Sequence, residues 1–180
     1  MVDDRNLVRR IQDGDMHAFR YLIRQHERLV LHMVGRVVRN EAEREELCQD
    51  VFMRVYNSLG TFSFQSKLST WIATIAYRHA LNHLRRMKVK MADLPADDSA
   101  AVFIDTETPE SVATETDLNQ HIRALIDRLP VQYRTIVTLY HLEEMSYAEI
   151  GAIMELPEGT VKSYLFRARS ILKEHVKKYI

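Results

Sequence analysis

SYAEIGAIMELPEGTVKSYLFRAR, Ser146 to Arg169, decides the reading of this chain. Ser146 followed by Glu149 is a capping box: the hydroxyl accepts from the third helical N–H and the carboxylate reaches back to the cap. Ile150, Ile153 and Met154 give that first short helix a buried stripe. Pro157 suits the first position of the next helix, where a missing N–H costs nothing. On a wheel of about 100° per residue, Val161, Leu165, Ala168, Leu172 and Val176 share one face of the second helix. Lys162, Ser163, Phe166, Arg167, Ser170 and Lys173 share the other. Charges on a solvated face need no explanation, but an outward Phe166 between Ser163 and Arg167 is less ordinary. Serine can donate to a phosphate or base edge, arginine can fork onto guanine, and an aromatic ring can cover a thymine methyl. Two helices around a tight connection, the second basic and aromatic outside, is what a DNA-reading helix-turn-helix requires.

The rest of the chain predicts an all-α protein. Its 180 residues are 46% hydrophobic, with only five Gly and four Pro, and β-branched alternation is scarce. That length suits one large or two small domains. Cys48 is the single cysteine, so an intramolecular disulfide is impossible and a reducing cytoplasm fits. The charged first fifteen residues do not fit a signal peptide, and no apolar run approaches a membrane span. A cytoplasmic protein without membrane insertion is expected.

A formal net charge of zero conceals strong segregation. Residues 1–61 hold ten basic and ten acidic side chains, and residues 62–92 hold six basic and no acidic ones. Residues 93–117 hold eight acids and no base, and residues 119–180 hold nine bases against seven acids. Two basic surfaces separated by an acidic stretch point to nucleic acid.

Residues 1–92 read as one helical domain. Leu7, Val8 and Ile11 mark a first helix ending near Asp13-Gly14. Asp15 caps a long second helix, and Asn40 with Glu43 caps a third that ends at Gly60. A fourth runs from about Ser69 to Lys88. Residues 93–117, with two prolines and little periodicity, read as a flexible acidic linker. Fully extended, it reaches roughly 83–90 Å at about 3.3–3.6 Å per residue, more than the ~70 Å of two duplex turns. Residues 118–180 form a second helical domain: Leu118, Ile122, Leu125, Ile126 and Leu129 face inward, Pro130 opens the next helix, and the helix-turn-helix follows.

On the fourth helix Ala73, Ala76, Tyr77, Ala80 and Leu84 share one side, and Trp71, Arg78, Asn82 and Arg85 the opposite one. An aromatic platform beside cations and an amide suits single-stranded DNA, with bases stacked on rings. Phe62, Phe64, Ser66 and Lys67 in the preceding loop extend it. Spacing serves equally well a Trp71 that is a core or boundary residue.

These segments together resemble bacterial sigma factors. Glu46-Leu47-Cys48-Gln49-Asp50-Val51-Phe52-Met53-Arg54-Val55-Tyr56 looks like their core-polymerase-binding helix. Thr70-Trp71-Ile72, Ile75-Ala76, Asn82 and Leu84-Arg85-Arg86 look like the promoter-melting helix. Leu129-Pro130, the capping box, Pro157 to Ser163 and Arg167-Ala168-Arg169 look like region 4. The order covers nearly the whole chain. With regions 2 and 4 only, it resembles the extracytoplasmic-function (ECF, group IV) class.

The resemblance implies a transcription initiation factor, without catalysis or cofactor, that carries core RNA polymerase to promoters. Leu47, Gln49, Asp50, Phe52, Arg54 and Val55 would bind the clamp helices, and region 4 would sit on the flap. Thr160, Lys162, Ser163, Tyr164, Phe166, Arg167, Arg169 and Lys173 would read the minus-thirty-five element in duplex DNA. Phe64, Ser66, Lys67, Ser69 and Trp71 would capture a flipped base of the single-stranded minus-ten element, held by Arg78, Asn82, Arg85 and Arg86. The acidic linker would mimic RNA on a basic exit channel, and an anti-sigma factor would restrain the protein. Arg78, Tyr164 and Gly151 stand where Asn, Arg or His, and Ala are usual, and Phe62-Ser63-Phe64 follows the usual pattern loosely. These departures bear on promoter sequence.

Other readings are weaker. A stand-alone helix-turn-helix regulator leaves the basic Trp71–Lys90 helix unexplained. His79 and His83, one turn apart, could bind a metal, but no third ligand lies at motif spacing and Arg78, Arg85 and Arg86 would repel a cation. Cys48 sits in an apolar stripe, so packing suits it better than nucleophilic chemistry. No phosphate-binding glycine loop, nucleophile elbow or HExxH motif is present.

Overall fold

A computed structural model describes residues 3–92 and 115–177. The expected linker lies outside the described residues except at its end, where a helix begins at Glu115. The side chain of Leu118 also lies outside the described residues.

The first four helices are α1 (Asp4–Gln12), α2 (Met16–Gly35), α3 (Glu41–Ser58) and α4 (Leu68–Ala92). Each of the first three starts at the residue its chemistry predicts. Asp3 accepts from the Arg5 N–H, Asp15 from those of His17 and Ala18, and Asn40 from that of Glu43. Hydrogen bonds from Arg10 and from the helix N-terminus hold the Asp15 carboxyl below its ordinary pKa. The third helix ends differently from expectation. It tightens into a 3₁₀ turn over Leu59–Thr61 and seats Leu59 in the core, because burying Leu59 requires the chain to keep turning past Ser58. The fourth helix starts at Leu68 and outruns Lys88 to Ala92.

The second group is α5 (Glu115–Arg128), α6 (Val131–His141), α7 (Tyr147–Met154) and α8 (Glu158–Lys177). No strand occurs among the described residues. Leu22, Met33, Val51, Val55, Ile72 and Ala76 fill the first core, and Ile136, Leu139, Ile150, Ile153, Val161 and Leu165 the second.

The two helical groups meet where α7 packs against α4. A second seam joins α2 to α5 and α6. There the buried Arg134 on α6 donates from Nε to the Arg36 backbone carbonyl and from Nη1 to that of Asp127, at 3.0 Å for the latter. Burial is the main force lowering the Arg134 pKa. Arg36 pairs with Asp127, and Arg28 and His32 both reach Glu143. None of these long-range polar contacts has a signal in the sequence, since their partners lie some ninety or more residues apart.

Candidate nucleic-acid interface

The helix-turn-helix is built as its residues require. The Glu149 N–H donates to Ser146 Oγ at 3.3 Å, and the Ser146 N–H donates to Glu149 Oε2 at 2.8 Å. Glu155 ends α7 in the left-handed conformation (φ 57°). The chain then folds so tightly that a Cβ on Gly151 would stand 2.6 Å from the Leu156 carbonyl oxygen, while the Leu156 N–H donates back to Gly151 O at 3.0 Å. Glycine at 151 therefore belongs to the turn. Pro157 sits just before α8, where its carbonyl accepts from Thr160 and Val161. Proline is thus the cap itself, one residue earlier than expected, because its ψ can stay extended there while its ring needs no N–H.

The α8 face separates cleanly. Val161, Leu165 and Ala168 are buried and Leu172 and Val176 half-buried. Outside lie Lys162, Ser163, Phe166, Arg167, Arg169 and Lys173. Phe166 is 71% exposed, the largest exposure among the exposed large hydrophobics. Ser163 Oγ donates to Thr160 O at 3.0 Å, which fixes the hydroxyl along the helix. Thr160 is half-buried, and so is Tyr164, whose ring meets Tyr133 edge-on at 5.3 Å. Tyr164 is thus partly committed to packing, because its wheel position falls at the border of the buried stripe.

Lys162 and Arg169 are organised by residues the sequence reading did not single out. The Arg169 guanidinium lies over the Tyr140 ring at 5.1 Å, and Tyr140 stacks on Tyr147 at 5.3 Å and 13°. The Lys162 ammonium lies over Tyr147 at 5.4 Å. Arg169 also donates to His141 Nε2 from Nε and Nη2, at 3.3 and 3.2 Å. Burial and the Arg169 charge push the His141 pKa down, in keeping with a neutral ring as acceptor. A hydrogen bond with Tyr140 raises the Tyr147 pKa.

On α4 the expected inward residues Ala73, Ala76, Tyr77 and Ala80 are buried and Leu84 half-buried. Arg78, Asn82, Arg85 and Arg86 are exposed. Trp71 is half-buried: its ring packs on buried Phe62 at 5.2 Å, and Phe62 meets Phe64 at 4.6 Å. Phe64 adopts a left-handed backbone (φ 59°) with the Arg5 guanidinium 4.9 Å over its ring. The aromatic residues therefore form one connected cluster with Trp71 at its edge, a boundary position. Ser66 and Lys67 are exposed and Ser69 is half-buried.

Two of the α4-side cations are already engaged. Lys67 Nζ lies 2.8 Å from Glu149 Oε1, and Arg78 pairs with Glu155. Burial alone would raise the Glu149 carboxyl, but Lys67 and the two Ser146 hydrogen bonds outweigh it and bring its pKa to about 2. A cavity of about 520 Å³ opens beside this pair, lined by Arg24, Arg28, Lys67 and Ser69 from one group and by Glu143 and Glu149 from the other.

The α3 residues divide. Gln49, Asp50 and Arg54 are exposed. Leu47, Phe52 and Val55 are buried at 5%, 8% and 0% exposure, which corrects their expected role as direct partner contacts. They point inward with the stripe that holds α3 to α2 and α4, and so shape the helix. The exposed apolar side chains on this helix are Met53 and Tyr56; their outward wheel positions were a usable signal. His79 and His83 each face an α3 carboxylate, Asp50 at 3.5 Å and Glu43 at 3.2 Å. No group of three or more potential metal ligands occurs among the described residues.

Two family models match this chain: Sigma-70 region 2 over residues 22–89 and Sigma-70 region 4 over residues 119–172. The chain is 33% identical over 176 residues to RNA polymerase sigma-H factor of Pseudomonas aeruginosa, covering 94% of this chain and 91% of that protein. It is 32% identical to ECF RNA polymerase sigma-E factor of Escherichia coli K12, covering 98% and 96%. The fold resembles that of the sigma factor RpoE of Bartonella quintana, solved with the anti-sigma factor NepR (TM-score 0.70, 23% identity, 88% and 96% covered). It also resembles CnrH solved with the cytosolic domain of CnrY (TM-score 0.69, 17% identity, 97% of each chain). This chain belongs to the ECF sigma factor family, and its function is that of a transcription initiation factor that directs RNA polymerase to promoters.

Proposed function

We propose that the two helical groups divide promoter recognition. Region 4 reads the minus-thirty-five element with the outer face of α8, chiefly through Ser163, Phe166 and Arg167. The carrying observation is that face: an exposed aromatic between a hydroxyl and a guanidinium, on the second helix of a capped helix-turn-helix. Arg167 has no ion-pair or ring partner among the described residues, so its fork is free for guanine.

Region 2 holds the melted minus-ten strand on the Phe64–Trp71 cluster, Lys67, Arg78, Asn82, Arg85 and Arg86. Flipping a base costs a few kcal/mol, which stacking and polymerase contacts offset. The exposed residues of α3, Gln49, Asp50, Met53 and Arg54, meet the polymerase clamp helices, and region 4 rests on the flap. The protein works in the cytoplasm, has no catalysis of its own, and takes an anti-sigma factor as its restraining partner. Residues 93–117 join the two reading units.

Lys67 pairs with Glu149 of α7 and Arg78 with Glu155 at its C-terminal end, so the two units must part before α4 can hold DNA. Partners about two duplex turns apart are within reach of the extended linker.

Run-off transcription with purified core polymerase on a pooled promoter library tests the reading. Start sites that appear only when this protein is added, with enriched upstream motifs, support it. Binding to duplex DNA without any polymerase-dependent transcript overturns the assignment of region 2.

A further inference from the structure

Lys162 and Arg169 lie seven residues apart on α8, about two turns and about 10.5 Å along the axis, on nearly the same line of the helix. Neither points freely into solvent. Each lies against one end of the Tyr147–Tyr140 stack, and Arg169 is also tethered to His141. The ring between Arg169 and His141 is itself oriented, because Tyr140 meets His141 edge-on at 5.0 Å and 83°. Arg167, between the two cations in sequence, has no such tether.

We propose that Tyr140, His141 and Tyr147 are positioning residues that set Lys162 and Arg169 as a spaced pair of phosphate contacts, while Ser163, Phe166 and Arg167 read the bases. The inference rests on the assignment of α8 as the duplex-reading helix. Both cations lie on one line of the helix, over one ring stack, so a helix lying along the major groove turns both toward the same rim and spaces them along its phosphates. Long cationic side chains lose rotamer freedom when they bind. Rings that hold them extended beforehand remove part of that loss. An arginine already donating to a neutral imidazole keeps Nη1 for a phosphate oxygen, since only Nε and Nη2 face His141. The division also separates two kinds of contact in one helix: phosphate contacts set affinity and register, and base contacts set sequence.

The test uses the full chain and two fluorescent duplexes, one selected by the wild type from a randomised pool and one scrambled, titrated across NaCl concentrations. Tyr140→Leu/Tyr147→Leu is expected to weaken both duplexes equally, roughly four- to twenty-five-fold if each cation–ring contact contributes two- to fivefold. Its salt slope should fall toward that of Lys162→Gln/Arg169→Gln, which loses about one unit per cation. Tyr140→Phe/Tyr147→Phe keeps both rings and should stay within about twofold of wild type. A loss confined to the selected duplex would make these residues base readers and overturn the inference. So would an equal loss in the Phe and Leu pairs, which would show that the hydroxyls and not the rings carry the effect. A wild type that selects a sequence while the Leu pair matches it in affinity and slope would sink the positioning role and leave the DNA reading intact. A wild type that binds no duplex would overturn both. Should the Leu pair fail to fold, ¹⁵N relaxation of the Arg169 Nε–H tests the tether independently. Restricted motion in the free wild type, released in His141→Ala, supports the tether; a mobile Arg169 in the wild type refutes it.

Discussion

Two basic helical faces sit in this molecule in opposite conditions. On α8 the central outward residues are open: Phe166 is 71% exposed and Arg167 stands without an ion-pair partner among the described residues. On the α4 side, Lys67 and Arg78 already hold carboxylates supplied by α7. One helix-turn-helix does both things. It presents α8 outward and turns the acids of α7 toward the cations of the other unit. A carboxylate paired with a cation occupies the place a phosphate would take. The comparison teaches that free cations and paired cations cannot be told apart by counting charge along the chain.

The largest expected effect comes from the turn that lets α7 and α8 diverge. Gly151→Ala should destabilise region 4 by about 3 kcal/mol, the upper end for an overpacked site, because its Cβ would stand 2.6 Å from the Leu156 backbone carbonyl oxygen and force the turn to shift. Urea unfolding should show region 4 melting early while α1–α4 keep their midpoint. Unchanged unfolding would mean the turn relaxes.

Arg167→Ala breaks the open face alone. We expect about 2 kcal/mol less binding to the selected duplex, with relaxed preference at one base position. Equal weakening on every sequence would make Arg167 a phosphate contact and erase the distinction between it and Lys162.

Glu149→Gln acts on the covered face. Glutamine preserves the capping box but removes the charge facing Lys67, so about 1 kcal/mol of seam stability should go. Binding of single-stranded minus-ten DNA should strengthen correspondingly. The same pair has a pH signature. The folded Glu149 pKa lies at about 2 against an ordinary 4.5. Its contribution is therefore fully present above pH 4.5 and is lost as pH falls toward 2. Scattering measurements through that window should show the wild type expanding, and the Gln variant should lack this component. Identical acid profiles would show that Glu149 does not hold the seam.

Glu155→Gln should do least. Both partners of the Arg78 pair are more than half exposed, and such pairs contribute a few tenths of a kcal/mol. A gain in single-strand binding as large as that from Glu149→Gln would reverse the assigned ranking of the two pairs.

Much of the fold and the open face was legible beforehand. Asp15, Asn40 and Ser146 cap the helices their side chains predict, and the α8 wheel separates the buried stripe from the exposed face, with Ser170 half-buried between them. These are local matters: a hydroxyl or carboxylate reaches only two or three residues along the chain, and helical period assigns faces. The α3 contacts were less legible. Resemblance carried Leu47, Phe52 and Val55 into a partner-facing set, although their apolar spacing with Val51 marks the buried stripe. The Tyr140–Tyr147 stack was also missed, since two residues on different helices meet only through the turn between them.

Sequence by itself determined an all-α chain, the caps, the inward stripes, the helix-turn-helix and the segregation of charge, because each depends on neighbours within about two helical turns. Tertiary structure alone decided which cations are engaged, how Gly151 fits beneath Leu156, and where Arg134 ties one helical group to the other. Those outcomes depend on atoms brought together from distant parts of the chain. Coulombic and hydrogen-bond energies fall with distance in space, and sequence separation does not measure it.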